Sequence, residues 1–128
     1  MSSLKVFLLL LMLTVALRWP LRSEFLYEWD SVQFALGALH FDVNEHRPHP
    51  PGYPIWIVLV RGLMMLVRDP NVAQIFLGQL FVAGALTLTA LLAPRAMGLS
   101  GIVSTLTILF FSPTVTLYST VATTYPVD

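Results

Sequence analysis

Four apolar runs alternate with polar segments along the sequence, and their lengths predict which of them cross a membrane. The runs cover residues 6–17, 55–67, 72–93 and 99–122. A membrane-spanning helix needs about 20 predominantly apolar residues. The first run nears this length when it is extended to residue 21, and the third and fourth runs reach it directly. The pattern therefore predicts spanning helices over residues 4–21, 71–93 and 99–122.

The second apolar run is shorter than a span and carries Arg61 near its middle. A charged side chain at the centre of a bilayer costs roughly 3 kcal/mol or more. We therefore predict that this run lies at the membrane interface or packs against the helical bundle. In the last run Pro113 should bend the helix, because proline lacks the amide hydrogen that bonds to the preceding turn.

The first apolar run has two interpretations, a cleaved signal peptide or a retained helix. Lys5 gives it a basic start and its apolar core is short, as in a signal peptide. Thr14-Val15-Ala16 is a poor match to the small residues that precede a cleavage site, which favours a retained helix. Arg18 and Trp19 would then anchor this helix at the interface.

Composition supports an integral membrane protein. Apolar residues make up 56% of the chain, charged residues 11%, and the mean hydropathy is +0.76, whereas soluble domains carry about 25% charged residues. The net charge of zero gives no basic field for binding nucleic acid. The absence of cysteine excludes disulfides and thiolate metal sites.

Residues 1–128 are predicted to form one membrane domain, an all-α helical bundle. The sequence stops at Tyr125-Pro126-Val127-Asp128 without a polar tail, and we expect it to be the N-terminal portion of a larger protein. The positive-inside rule places Lys5 and Arg95 in the cytoplasm. Residues 22–68 then form an extracytoplasmic loop with interfacial helices, on the face where the chain ends. Arg18, Arg22 and Arg47 on that outer face weaken the charge argument.

The polar segment at residues 22–54 contains five of the seven acidic residues and all three histidines. An apolar face recurs at spacings of four and three residues, as in an amphipathic helix lying on the membrane. It comprises Phe25, Trp29, Val32, Leu36 and Leu39. Asp30, Gln33 and Gly37 would then face away from lipid. Asp30 is predicted to cap this helix, because Asp30-Ser31-Val32-Gln33 fits a capping-box pattern; a catalytic role is compatible with that.

The most unusual string is Pro48-His49-Pro50-Pro51-Gly52-Tyr53-Pro54, in which four prolines restrict the backbone. It is either a stiff linker into the next helix or a rigid frame that aims His49 and Tyr53 into a cleft. Nearby side chains are of the types that bind metal ions, but their spacing matches no standard motif. They are His40, Asp42, His46 and His49. Whether this segment binds a divalent metal ion is therefore left open, and no ligands are assigned.

Three parts of this segment together resemble the first extracytoplasmic loop of GT-C-type glycosyltransferases. They are Asp30 within residues 27–31, His40-Phe41-Asp42-Val43, and the proline-rich run that begins at His46. The similarity is to the bacterial multi-pass proteins related to protein O-mannosyltransferases and to the aminoarabinose transferase of lipid A. An aspartate shortly after the first membrane helix, followed by His-Pro-Pro, is the local signature. The resemblance covers essentially the whole chain.

The resemblance implies a multi-pass protein of the cell membrane that transfers a sugar from a polyprenyl-phosphate donor, with inversion, at the outer face. Asp30 would be the catalytic residue, either as the general base that activates the acceptor hydroxyl or as a group that positions the acceptor. His49 and Tyr53 would contact the substrate. Arg47 and Arg61 would bind the donor phosphate, although interfacial snorkelling explains them as well.

The resemblance also assigns Glu28, Asp42 and His46 to shaping the site. Many members carry Asp-Glu where this chain has Asp30-Ser31, so a role that needs the second carboxylate does not carry over. Members of the family also continue through many more helices. This leaves open whether the chain is active by itself.

Two other functions remain alternatives to an enzyme that uses a lipid-linked sugar. One is a small non-enzymatic multi-pass membrane protein, which fits the length but not the loop. The other is a subunit that binds polyprenyl phosphate without transferring sugar. Membrane lipid is the expected surrounding in each case.

Overall fold

A computed structural model of the protein describes residues 2–93 and 97–122. These residues form helices joined by turns, with no β-strand among them. The helices are α1 (Ser3–Arg18, continued by a 3-10 turn at Trp19–Leu21), α2 (Trp29–Leu39), α3 (Pro54–Val67), α4 (Pro70–Leu92), α5 (Gly98–Phe110) and α6 (Pro113–Thr120). The prediction of an all-helical protein is confirmed for the described part of the chain.

Two of these helices are long and apolar enough to cross a membrane. They are α1 with its 3-10 turn, 19 residues over Ser3–Leu21, and α4, 23 residues long. The helices α5 and α6 satisfy the same test only as a pair, and they are bent by 54° at the break between them. The bend expected at Pro113 is therefore present, and this proline is the first residue of α6.

The helix α4 lies at the centre of the bundle, in contact with α1, α2, α3, α5 and α6. Ala73 and Ala83 on α4 are completely buried, and their small side chains allow neighbouring helices to approach closely. The core between α2, α3 and α4 is built from Phe34, Ala38, Trp56, Ile57, Val60, Ala73 and Leu77. The short apolar helix α3 thus packs against the bundle, which is one of the two placements predicted for it.

Arg18 is buried at the break between α5 and α6, where it is only 2% exposed. Its Nη1 donates to Ser119 Oγ at 2.9 Å, and its Nη2 donates to the Phe110 carbonyl. The guanidinium also stacks 4.4 Å from the Phe110 ring centre. A helix that stops leaves its last carbonyls without amide partners, and Arg18 supplies donors to one of them. The expectation that Arg18 anchors the helix at the interface is therefore wrong.

Hydrogen bonds gather the polar segment at one end of the bundle. Ser23 N donates to the Thr120 carbonyl at the end of α6, at 2.7 Å. Asn71 Nδ2, at the start of α4, donates to the Ser23 carbonyl at 3.0 Å. The segment that leads into α2 is therefore fixed to α4 and α6. Arg95 and the Tyr125–Asp128 terminus, which were assigned to opposite membrane faces, lie outside the described residues.

Candidate functional site

The helix α2 begins two residues earlier than its capping pattern predicts. Glu28 is the N-cap residue, and Asp30 is the second residue of the helix. Ser31 Oγ accepts from Glu28 N at 3.2 Å and donates to the Glu28 carbonyl at 2.6 Å. The predicted N-cap at Asp30 is therefore wrong, because Ser31 folds back on Glu28 instead. The Asp30 side chain is left 42% exposed and free of a capping role.

Contacts from α4 fix the first turn of α2. Gln74 is completely buried in α4, and its Nε2 donates to the Ser31 carbonyl at 3.2 Å. Ser31 is itself completely buried. A buried polar side chain is costly unless it is hydrogen-bonded, so this pair favours one position of α2 on α4. The backbone that carries Asp30 is thereby held in place.

Two faces of α2 have opposite environments. The apolar side chains Trp29, Leu36 and Leu39 are exposed, to 75%, 41% and 65%. The face with Gln33 and Gly37 is buried, and the chain after α2 folds over it. A Cβ atom added at Gly37 would lie 2.7 Å from Pro48 Cδ. Glycine at this position therefore allows the proline-rich string to approach α2 closely.

The loop between α2 and α3 is shaped by a tight turn. Asp42 and Arg47 exchange two backbone hydrogen bonds of 2.8 Å. His46 has φ +55°, and Arg47 forms an ion pair of 3.3 Å with Glu45. The peptide bonds Arg47–Pro48 and Pro50–Pro51 are cis. This turn directs the proline-rich string back onto α2, so the string is not an extended linker.

His49 lies beside Asp30 and Gln33. Its Nδ1 is 3.8 Å from Asp30 Oδ1 and 2.5 Å from Gln33 Oε1. Its backbone N donates to the same Gln33 oxygen at 3.1 Å. The imidazole is 26% exposed. His49 thus forms one polar cluster at the edge of the bundle with two residues of α2 that lie 16 and 19 positions before it.

An aromatic cluster supports the other side of the His49 ring. The ring centre of His49 is 5.3 Å from that of Tyr53 and 5.7 Å from that of Phe34. The Tyr53 and Phe34 rings meet edge to face at 5.1 Å. Phe34 is 1% exposed, so the cluster joins the polar residues to the core. The interpretation of the string as a rigid frame that aims His49 and Tyr53 into a cleft stays a prediction.

The two arginines assigned to phosphate binding contact other parts of the protein. Arg61 Nε donates to the Ala38 carbonyl at 2.9 Å, and its Nη2 donates to the Gly37 carbonyl at 3.1 Å. Arg61 therefore binds carbonyls at the C-terminal end of α2, where a positive charge also interacts favourably with the helix dipole. Arg47 lies in the tight turn with Asp42 and His46. Their assigned roles in the site stay predictions.

Gln33 was not predicted as a site residue, although it is the group most closely bound to His49. Helical spacing could have identified Gln33 as a site residue, because Asp30, Gln33 and Gly37 lie on one face of the helix. Among the described residues, no group of three or more His, Cys, Asp or Glu side chains could hold a metal ion. In that part of the chain, the side chains considered as ligands of a divalent metal ion thus do not form a metal site.

The arrangement offers a carboxylate and an imidazole that are held by the backbone and remain accessible. Such a pair can accept a proton and a hydrogen bond from a ligand hydroxyl. Comparisons of the chain with protein-family models, with curated proteins and with solved structures find no match.

Proposed function

We propose that this chain carries the acceptor-activating site of a glycosyltransferase that uses a polyprenyl-phosphate-linked sugar. The observation that carries the proposal is the Asp30 carboxylate. It is released from helix capping by Ser31 and lies 3.8 Å from His49. It belongs to a bundle with two helices of membrane-spanning length, so a donor with a lipid tail would reach it from the bilayer.

In the proposed reaction Asp30 takes the proton of the acceptor hydroxyl as its oxygen attacks the anomeric carbon. The new carbon–oxygen bond forms as the bond from the anomeric carbon to the phosphate oxygen breaks. Polyprenyl phosphate leaves with the electron pair, and the sugar configuration inverts. A carboxylate positioned as a general base contributes about 10²–10⁴-fold to such a step. The proton ends on Asp30 and is then released to water.

The leaving phosphate gains negative charge, which a guanidinium would stabilise. Arg61 uses Nε and Nη2 to bind α2, but a guanidinium has five N–H donors. The remaining donors of Arg61 would contact the phosphate. Arg47 is about two-fifths exposed in its ion pair with Glu45, so it is also accessible to an anion.

The proposed setting is the cell membrane, with the N-terminus in the cytoplasm and α2 at the outer surface. The exposed apolar face of α2 would rest on the lipid, because Trp29 and Leu39 have no cover from the described part of the chain. Trp29 would lie at the level of the head groups, where tryptophan is enriched. This placement turns Gln33 and His49 away from the hydrocarbon.

The test measures sugar transfer by vesicles that contain the protein, with a panel of polyprenyl-phosphate sugars as donors. We expect at least one donor to support transfer and Asp30→Asn to lower its rate by about 10²–10⁴-fold. Asp69→Asn is the matched control, since Asp69 caps α4 by accepting from the backbone N–H groups of Asn71 and Val72 and asparagine caps equally well.

Two outcomes would contradict the proposal. One is near-normal transfer by Asp30→Asn, which would show that Asp30 is not the general base. The other is binding of the lipid donors by the wild-type protein without transfer from any of them. That result would identify a polyprenyl-phosphate-binding subunit instead of a transferase.

A further inference from the structure

The strongest polar contact in the site joins His49 to a residue without an assigned role. Gln33 is 5% exposed, and its Oε1 is 3.1 Å from the backbone N of His49. The same oxygen is 2.5 Å from His49 Nδ1. One amide oxygen therefore contacts the main chain and the side chain of a single histidine. This double contact determines which ring nitrogen carries the hydrogen, as well as the position of the ring.

The backbone contact determines which end of the Gln33 amide faces His49. A backbone N–H can only donate a hydrogen bond, so its partner must be the amide oxygen and not the NH₂ group. An amide oxygen can only accept. His49 Nδ1 must then donate to it, because two lone pairs facing each other at 2.5 Å would repel. Nδ1 therefore carries a hydrogen.

The state of Nδ1 determines the state of the other ring nitrogen. In a neutral imidazole one nitrogen donates and the other accepts, so Nε2 of neutral His49 carries a lone pair. Asp30 reinforces this choice, because its carboxylate lies 3.8 Å from Nδ1. Gln33 and Asp30 both occupy the Nδ1 side of the ring. Among the described residues, Nε2 has no hydrogen-bond partner.

We infer that Gln33 is a positioning residue that holds neutral His49 in the Nδ1–H form. Nε2 is thereby presented as a hydrogen-bond acceptor for a ligand hydroxyl. This ligand assignment rests on the proposed function. Asp30 takes the proton of the attacking hydroxyl, so Nε2 binds a hydroxyl of the lipid-linked donor sugar instead. A site that accepts from a substrate hydroxyl binds sugars that lack this hydroxyl less tightly, because the hydrogen bond is then lost.

The direct test observes the histidine tautomer. The protein is labelled with ¹⁵N-histidine, and the exposed His40 and His46 are replaced by glutamine so that only His49 remains. Long-range ¹⁵N–¹H correlation spectra at alkaline pH identify which nitrogen carries the hydrogen. We expect the Nδ1–H form. An Nε2–H form in the wild-type site would overturn the inference.

A matched pair of variants tests the role of Gln33. Gln33→Met removes the acceptor while keeping a chain of similar length, and it should shift His49 toward the Nε2–H form. Gln33→Glu keeps an acceptor oxygen at the same place and should preserve the Nδ1–H form. An unchanged tautomer in Gln33→Met would contradict the inference. Gln33→Glu keeps the test informative if the methionine variant does not fold.

Transfer kinetics separate this inference from the proposed function. Gln33→Met should raise KM for the polyprenyl-phosphate-linked sugar about tenfold, as expected for the loss of one hydrogen bond. Gln33→Glu should have a KM close to that of wild type. Asp30→Asn should lower kcat and leave the tautomer of His49 unchanged. If the wild-type protein transfers no sugar but shows the Nδ1–H form, the proposed function fails and the role of Gln33 stands.

Discussion

Replacing Gly37 by alanine should displace the proline-rich string from α2. The new Cβ atom would lie 2.7 Å from Pro48 Cδ, 2.9 Å from Pro48 N and 3.0 Å from the Arg47 carbonyl carbon. Carbon atoms in contact are normally about 3.5–4.0 Å apart. Two of the three atoms belong to the backbone and the third to a proline ring, so no side-chain rotation removes the overlap. The string must move by roughly 1 Å to restore normal contacts.

The magnitude follows from two opposing terms. Overpacking typically costs about 1–3 kcal/mol, and alanine in place of glycine stabilises a helix interior by about 0.8–1.0 kcal/mol. Gly37→Ala should therefore change the free energy of unfolding by about 0–2 kcal/mol in the destabilising direction. Its effect on transfer should be larger, because a misplacement of about 1 Å can cost 10²-fold in rate, and His49 follows Pro48 directly.

Gly62→Ala is the matched control for this prediction. Gly62 lies within α3, and a Cβ atom there would meet no heavy atom within 4 Å. This variant should gain helix stability and keep its transfer rate. Both variants are compared by thermal unfolding in detergent and by transfer in vesicles. If Gly37→Ala is as stable and as active as Gly62→Ala, the proline-rich string does not need its close contact with α2.

Two further predictions concern the exposed Arg61 and the buried Arg18. Arg61→Met should lower the free energy of unfolding by about 1 kcal/mol, because the Gly37 and Ala38 carbonyls lose their donors, and Arg61→Lys should recover part of this stability. Denaturant titration of both variants measures the two effects. Equal stability of Arg61→Met and wild type would refute the capping role. Arg18→Met should cost about 1–3 kcal/mol, since the Phe110 carbonyl loses a donor at the break between α5 and α6. The exposed Lys5→Met should be neutral in the same titration, and an equally neutral Arg18→Met would contradict the role given to Arg18.

Features with a local cause are the ones that the sequence predicts. The length of an apolar run sets the two membrane-length helices, and the missing amide of Pro113 sets the bend in the last run. The exposed apolar face of α2 follows from helical spacing alone. The same spacing places Gln33 and Gly37 on the face turned away from those apolar side chains. Each of these depends on residues within one or two turns of each other.

Features that depend on a distant partner could not be predicted in this way. The sequence around Arg18 predicts an interfacial anchor, because its hydrogen-bond partner Ser119 lies 101 positions later. The bond between Gln33 and His49 joins residues 16 positions apart. Arg61 looks like a free cation, although it binds carbonyls 23 and 24 positions before it. In each case the pattern identified a polar residue correctly and the fold supplied its partner.

The capping error at Asp30 has a different physical origin. Asp30-Ser31-Val32-Gln33 and Glu28-Trp29-Asp30-Ser31 are alternative cap sequences two residues apart, and local preference favours aspartate as the cap. The contact between Gln74 and the Ser31 carbonyl instead fixes Ser31 inside the helix. With Ser31 in that position, Glu28 and not Asp30 is the N-cap residue of α2.

The role proposed for the Asp30 carboxylate is to activate a hydroxyl for attack on a lipid-linked sugar. Its most direct test is the initial rate of transfer from the best polyprenyl-phosphate donor, measured for wild type, Asp30→Asn and Asp69→Asn in the same vesicles at equal protein content. We expect a loss of about 10²–10⁴-fold in Asp30→Asn alone, with Asp69→Asn close to wild type. Equal rates in Asp30→Asn and wild type would contradict the proposed role.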